Sequence, residues 1–154
     1  TFIATANIGS EYTSTRVIDR AILDRFVTIE MDVLNDVQEF ELLKYMFPEV
    51  GEDDLKAIAE ISHHTRTQSM SDSGKLSSMV STRASVEMAS LVYDGFNLFE
   101  AAEISIFPFF SNDGGVDSER TYVKQLVQKY EKDENGSPLF EAKTEDNVDE
   151  IPQF

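Results

Sequence analysis

The sequence has no cysteine, and it has far fewer basic residues than acidic ones. Its 13 Lys and Arg stand against 29 Asp and Glu, which gives a formal net charge of −16 over 154 residues. Without cysteine, disulfides and thiolate metal sites are excluded. The negative charge argues against attraction to a nucleic-acid backbone, which depends on Lys and Arg, and against an anionic membrane surface. We therefore expect neither nucleic acid nor a membrane as a partner.

Long apolar runs are also missing. No stretch approaches the roughly 20 apolar residues of a transmembrane helix, and nothing resembles a signal peptide. Hydrophobic residues still make up 41% of the chain, which is enough for a core. These features predict a cytoplasmic protein. The chain starts with Thr1 rather than Met, and an apolar run begins at once, so we expect a piece of a longer protein.

The first 33 residues have the pattern of a strand, a helix and a second strand. Residues 2–6 are apolar and partly β-branched, which is typical of a strand buried on both faces. Apolar residues at helical spacing predict a short helix over residues 17–25. Val27, Ile29 and Met31 alternate with polar residues, which predicts a strand. This segment therefore reads as the end of an α/β domain.

Helical periodicity takes over from residue 34 and predicts about five helices up to residue 130. The first helix is expected to have an apolar stripe beginning at Val37, and the Ser-rich segment 67–78 is expected to be a loop. Residues 131–154 hold eight acids and two lysines, and we expect an acidic, disordered tail. The predicted helix starts are Asp36, Glu52 to Asp54, Ser81 or Thr82, Asn97 with Glu100, and Asp117 or Ser118.

Two polar residues flank the predicted strands. Asn7 lies where the first strand ends, and ligands of open parallel sheets bind beyond the carboxyl ends of strands. Asn7 can equally begin a turn. Arg25 directly precedes the second strand and has the donor geometry that matches a phosphate. It can also pair with a nearby acid or act as a cation at a helix C-terminus.

The segment "ATAN", a polar loop, and then "RAILDRF" leading into a strand resembles the sensor 1 and arginine-finger region of AAA+ ATPases. Further along, "STRAS" opens a helix and resembles the sensor 2 motif of their helical lid, with Thr82 where the family often has proline. The resemblance is to the MoxR and CobS-like branch, which includes the ATPase subunit of cobaltochelatase and many phage-encoded relatives. It covers roughly residues 1–130.

The resemblance implies a fold and a set of roles. The fold class is α/β: the C-terminal part of a P-loop NTPase domain over residues 1–33, followed by an α-helical lid bundle over residues 34–130. Asn7 would be sensor 1, Arg25 the finger that reaches a neighbouring subunit, and Arg83 the nucleotide-binding sensor 2. Arg20 and Arg16 are possible additional finger residues. The localisation implied is the cytoplasm of a bacterial or phage-infected cell.

The same resemblance implies partners and cofactors. A longer parent protein would bind ATP and Mg²⁺, assemble with itself into a ring, expected to be a hexamer, and remodel a partner protein. The chain itself carries no P-loop, because Ser69 replaces the first glycine of that motif and Leu76 follows Lys75 where Ser or Thr is needed. We therefore expect no ATP hydrolysis by this chain alone, and no metal site in it.

A second interpretation is an acidic helical interaction module without nucleotide chemistry, whose arginines make only structural ion pairs. His63 and His64 are helix neighbours that point in different directions, which favours a solvated surface over a metal site. Five phenylalanines are expected in the core, with a partner surface as the alternative. They are Phe96, Phe99, Phe107, Phe109 and Phe110.

Overall fold

The computed structural model describes residues 3–5, 21 and 24–131, and it divides into two compact units, residues 1–32 and 33–154. The helices of the second unit are α1 (Asp36–Met46), α2 (Glu52–Met70), α3 (Thr82–Tyr93), α4 (Leu98–Ser105) and α5 (Glu119–Gln128). Two short 3₁₀ turns, Phe107–Phe109 and Gly115–Asp117, precede α5. Helix α1 packs on α2, α2 on α3, α3 on α4, and α4 on α5.

Neither predicted strand is observed among the described residues, and most of the helix predicted over residues 17–25 lies outside them. No residue that the structure describes lies in a strand, and residues 27–31 have no regular secondary structure. The apolar side chains of Val27, Ile29 and Met31 are 92%, 80% and 88% exposed. A strand exists only when a neighbour pairs its backbone groups, and no described residue does so here. Of the first predicted strand, Phe2 and Ala6 lie outside the described residues.

Side-chain caps begin four of the five helices, and most of them are the predicted ones. Asn97 and Glu100 form the expected reciprocal capping box at α4. Ser81 caps α3 and Ser118 caps α5, which selects one of the two alternatives in each case. At α1 the predicted cap is wrong by one residue, because Asn35, not Asp36, caps the helix in a capping box with Gln38.

A single apolar core joins the five helices. In α2, residues at helical spacing face the core, and Leu55, Ile58, Ala59 and Ser62 are all buried. The side chains with at most 2% exposure include Leu43 of α1, Met88 of α3, Ile106, Phe107 and Phe110 beside α4, and Val123 and Val127 of α5.

Two details of the helical prediction are wrong. Val37 is 63% exposed, because the buried face of α1 instead carries Glu39 and Leu43. Helix α2 continues to Met70, four residues into the segment predicted as a loop. That loop turns tightly at Gly74, where a Cβ atom would come within 1.6 Å of the carbonyl oxygen of Gln68. Gly74 is therefore required for the backbone to pass the end of α2.

Gly95 ends α3 with a left-handed backbone, φ +99°, as its place after the helix predicts. None of the helices in the described ranges is both long and apolar enough to cross a membrane.

Candidate functional site

Arg83 lies in the first turn of α3, two residues after the Ser81 cap. The Ser81 hydroxyl accepts from the backbone N–H of Ala84, so the start of α3 is fixed. Arg83 is exposed, and its guanidinium makes no hydrogen bond or ion pair with any residue that the structure describes. The N-terminal end of a helix carries partial positive charge, so a cation there is unfavourable unless an anion joins it. Arg83 and the end of α3 are therefore suited to receive an anion.

A buried ion pair lies directly beneath this turn. Arg66 of α2 and Glu39 of α1 have side chains only 3% and 0% exposed. Arg66 Nη2 donates to Glu39 Oε1 at 2.9 Å, and Arg66 Nη1 donates to Glu39 Oε2. The Ser85 hydroxyl, on the second turn of α3, also donates to Glu39. The carboxylate therefore joins α1, α2 and α3.

The remaining donors of Arg66 bind backbone and side-chain oxygens around the same point. Nε donates to the carbonyl of Val80 at 2.9 Å, and Nη1 donates to the carbonyl of Leu34 at 2.9 Å. Nη2 has a longer contact of 3.4 Å with the hydroxyl of Thr82. Together with the two bonds to Glu39, all five N–H donors of the guanidinium have acceptors.

A second carboxylate fixes the loop that leads into α3. Glu119, at the start of α5, accepts from the backbone N–H of Ser77 at 2.5 Å and from that of Ser111 at 3.3 Å. Burial by itself raises the pKa of Glu119, but the hydrogen bonds from Ser77 and Ser111 outweigh it and lower the pKa below the ordinary 4.5. The backbone N–H of Val80 donates to the Thr65 hydroxyl at 3.0 Å. The approach to α3 is thus held from two helices.

The other predicted site residues lie in the first unit. Arg25 is exposed, and its Nη1 donates to the carbonyl of Ala21 at 2.5 Å, which is a local contact of the helix C-terminus type. Asn7, Arg16 and Arg20 lie outside the described residues. Their roles as sensor 1 and additional fingers stay predictions, and so does the role of Arg25 as the finger.

The two histidines differ in their exposure, and so do the five phenylalanines. His63 is exposed as expected, but His64 bonds its Nε2 to the Tyr122 hydroxyl at 2.7 Å and stacks on that ring. Burial lowers the pKa of His64, and the charges of Lys129 and His63 lower it further. Of the five phenylalanines, Phe107 and Phe110 are buried, Phe99 packs against the core, and Phe96 and Phe109 are 41% and 57% exposed.

No group of three or more His, Asp or Glu side chains that could hold a metal ion occurs in the described ranges. Of the predicted site residues, Arg83 is the one that lies in the described part of the second unit.

Sequence reasoning missed the Arg66–Glu39 pair, although a signal was available. Arg66 follows Ser62 by four residues, so it continues the buried stripe of α2. Glu39 precedes the buried Leu43 by four residues on α1. Two opposite charges at positions that the helical period assigns to the core predict a buried pair.

A comparison with protein families gives a match to the model described as "CbbQ/NirQ/NorQ C-terminal", over residues 41–129. The matched segment contains α2 to α5, most of α1, and both Arg66 and Arg83. No curated protein matches the chain. Since the family model covers more than half of the 154 residues, the chain belongs to the CbbQ/NirQ/NorQ C-terminal family, a part of the AAA+ MoxR-like ATPases.

Proposed function

We propose that this chain is the C-terminal part of an AAA+ ATPase that couples ATP hydrolysis in an oligomeric ring to remodelling of a partner protein. Within the MoxR-like ATPases, we propose the CobS-like branch with its phage-encoded relatives, because "ATAN", "RAILDRF" and "STRAS" occur in that order. The domains of the proposal are the end of the α/β core in residues 1–33, the helical lid in residues 34–130, and an acidic tail beyond.

The observation that carries the proposal is the exposed Arg83 at the N-terminus of α3. An arginine at this position opposes the helix dipole, and the first turn of α3 contains no acid. A bound phosphate would satisfy both the guanidinium and the helix end. In the proposed mechanism Arg83 binds the nucleotide of its own subunit from the lid, as sensor 2.

Arg25 supplies the second charge in this proposal. A guanidinium that reaches a neighbouring subunit stabilises the charge that develops on the transferring phosphoryl group. One of the five N–H donors of Arg25 bonds to the Ala21 carbonyl, and the other four make no hydrogen bond with the described residues. Asn7 orients the attacking water as sensor 1, with Arg20 and Arg16 as possible additional fingers.

The exposed alternation of Val27, Ile29 and Met31 supports an α/β core that is completed by other residues. Apolar side chains of this kind are normally covered by neighbouring strands or helices. ATP bound with Mg²⁺ supplies the phosphoryl group, and the P-loop half of the parent protein would hold both. The ring, expected to be a hexamer in the cytoplasm, and the remodelled partner belong to the same proposal.

The proposal is tested in the longer protein that carries this chain behind a P-loop half. We expect Arg83→Ala to weaken ATP binding about tenfold, the loss of one charge-assisted contact of about 1.4 kcal/mol. Arg120→Ala is the matched control, because Arg120 Nε donates to the Phe110 carbonyl and not to α3. Equal ATP affinity of the Arg83 variant and the parent, with equal turnover, would remove the sensor 2 assignment.

The finger assignment needs a separate test. We expect Arg25→Ala to leave ATP affinity nearly intact and to reduce turnover by roughly 10³-fold or more, because the finger acts on the transition state. If it acts in trans, mixed rings of Arg25→Ala and Arg83→Ala subunits, assayed at ATP below the KM of the parent, turn over faster than rings of either variant alone, since some sites then combine an intact Arg83 with an intact neighbouring Arg25. Mixed rings that are no faster than Arg83→Ala rings contradict a finger in trans.

If the chain is an interaction module instead, neither Arg83→Ala nor Arg25→Ala is expected to change ATP binding or turnover. It also predicts that no G-x-x-x-x-G-K-[ST] motif precedes this chain in its gene, whereas the ATPase requires one.

A further inference from the structure

A gain in stability does not by itself explain why the Arg66–Glu39 pair is buried. Burying two opposite charges requires desolvation that their attraction often only offsets, and apolar replacements of similar volume are frequently no less stable. A buried pair of this kind is better explained by the arrangement that it specifies. What it specifies here is a set of three chain segments that meet at one guanidinium.

These are the approach to α1, the part of α2 that carries Arg66, and the start of α3. Leu34 is the second residue of the helical unit and directly precedes the cap of α1. Val80 directly precedes the Ser81 cap of α3, and Thr82 is the first residue of α3. Arg66 donates to all three of them, and Glu39 holds Ser85 one turn further along α3. The first residues of the helical unit and the turn that carries Arg83 are thus fixed to a single side chain.

We propose that Arg66 and Glu39 are positioning residues for Arg83. They hold the first turn of α3 and the beginning of the helical unit at Leu34 in one rigid arrangement. A force on Arg83 from a bound phosphate is thereby transmitted to the chain segment that joins the helical unit to the residues before it. This inference rests on the proposed nucleotide contact of Arg83 and adds the means by which that contact is oriented and passed on.

The geometry explains why this role needs an arginine. A lysine has one ammonium group with three donors and no planar fork, so it cannot serve two carbonyls, a hydroxyl and both carboxylate oxygens together. Neither Arg66 nor Glu39 is exposed, so neither can touch the nucleotide itself. Any effect of these residues on ATP binding must therefore pass through α3.

The test uses the longer ATPase and compares four variants: Arg83→Ala, Arg66→Met/Glu39→Leu, the triple combination, and Arg120→Met as a matched arginine outside the network. Circular dichroism first establishes that each is folded. We expect the apolar double variant to raise the ATP dissociation constant and KM about tenfold, as Arg83→Ala does, with no further rise in the triple variant. We expect Arg120→Met to behave as the parent.

A purely structural role has a different signature. Partial unfolding lowers kcat through the loss of active molecules and leaves KM unchanged, whereas a displaced Arg83 raises KM. If the double variant does not fold, Arg66→Lys and Ser85→Ala are measured in its place, with a rise in KM expected for both and the larger rise for Arg66→Lys.

The outcomes separate the two proposals. If Arg83→Ala weakens ATP binding while the folded network variants bind ATP as the parent does, the positioning role is wrong and the sensor 2 role stands. A further loss in the triple variant equal to the product of the separate losses also overturns the positioning role. If Arg83→Ala has no effect on ATP binding, both proposals are overturned.

Discussion

Removal of one charge from the buried Arg66–Glu39 pair is expected to destabilise the chain much more than removal of both. Glu39 is 0% and Arg66 2% exposed, so whichever partner remains has no access to water. Breaking such a pair typically costs about 3–5 kcal/mol, because it leaves an uncompensated buried charge. Replacing both charges by apolar side chains removes that penalty.

The structure also orders the two single variants. In Glu39→Leu, the remaining Arg66 keeps three acceptors, the carbonyls of Leu34 and Val80 and the Thr82 hydroxyl. In Arg66→Met, the remaining Glu39 keeps only the Ser85 hydroxyl among the contacts described here. We expect about 3 kcal/mol for Glu39→Leu and about 4–5 kcal/mol for Arg66→Met.

The double variant is not expected to be neutral. It deprives the buried carbonyl of Val80 and the partly buried carbonyl of Leu34 of a donor, which costs about 1–2 kcal/mol in total. The single losses add up to about 7–8 kcal/mol, so their sum exceeds the loss in the double variant by about 6 kcal/mol. Since 1 kcal/mol shifts the melting temperature of a domain of this size by roughly 4–8 °C, Arg66→Met alone should lower Tm by about 15 °C or more.

Urea unfolding of the 154-residue chain, followed by circular dichroism, measures all four free energies of unfolding. Arg120→Met controls for the loss of an arginine that is only partly buried. A double variant that is as unstable as the sum of the singles would refute the reasoning, and so would a loss below about 1 kcal/mol in Arg66→Met. Either result would mean that water reaches the pair, against the burial described here.

Three further predictions concern the surroundings of the site. Glu119→Gln should lower the free energy of unfolding by roughly 1 kcal/mol at pH 7. Because the pKa of Glu119 is lowered in the folded state, this contribution is present above pH 4.5 and is lost as the pH falls through the folded-state pKa. An equal effect of the substitution in urea unfolding at pH 7 and pH 3 would contradict this prediction. The pKa of His64 is lowered by burial, so stability should decline as the pH falls below 6.5; NMR titration should show the low pKa, and His64→Gln should remove that part of the pH dependence. Gly74→Ala should lower Tm, with a loss of about 1–3 kcal/mol in the free energy of unfolding from the clash with the Gln68 carbonyl. Gly51→Ala is the control, because an alanine Cβ there meets only a carboxylate oxygen of Asp54 at 3.4 Å. Equal Tm values for the two variants would refute the clash.

The helical unit could be predicted from the sequence because its signals are local. Asn97 and Glu100 define their helix start by spacing alone, and Ser81 and Ser118 were each one of two adjacent alternatives. The stripe of α2 follows from helical period. The cap of α1 was missed because Asn35 and Asp36 are both good capping residues, and only the backbone geometry selects between them.

The strand prediction failed for the opposite reason. The alternation of Val27, Ile29 and Met31 with polar residues indicates an apolar face that would be buried in a sheet. A strand also requires partners that pair its backbone and cover its side chains. Those partners are not encoded in the segment itself. Local pattern can therefore identify a sequence suited to a strand without establishing that this chain forms one.

The candidate site was found in part. The motif that contains Arg83 was recognised by its position before a helix, but the side chains beneath it were not. Arg66 and Glu39 are charged, and reasoning from apolar stripes passes over charged residues even where the period places them in the core. Their bonds span 27 residues between the two partners, and no local rule joins such positions.

The contrast between the two arginines is the best guide to how this domain works. Arg66 is buried with every donor satisfied, so its role must be to hold other groups in place. Arg83 lies 17 residues later on the adjacent helix and is exposed at the positive end of that helix, where an anion would be favourable. An arginine that specifies geometry lies beneath one that is suited to bind a ligand. Under the proposed function, the affinity of Arg83 for ATP would therefore depend on Arg66, a side chain that cannot touch the nucleotide.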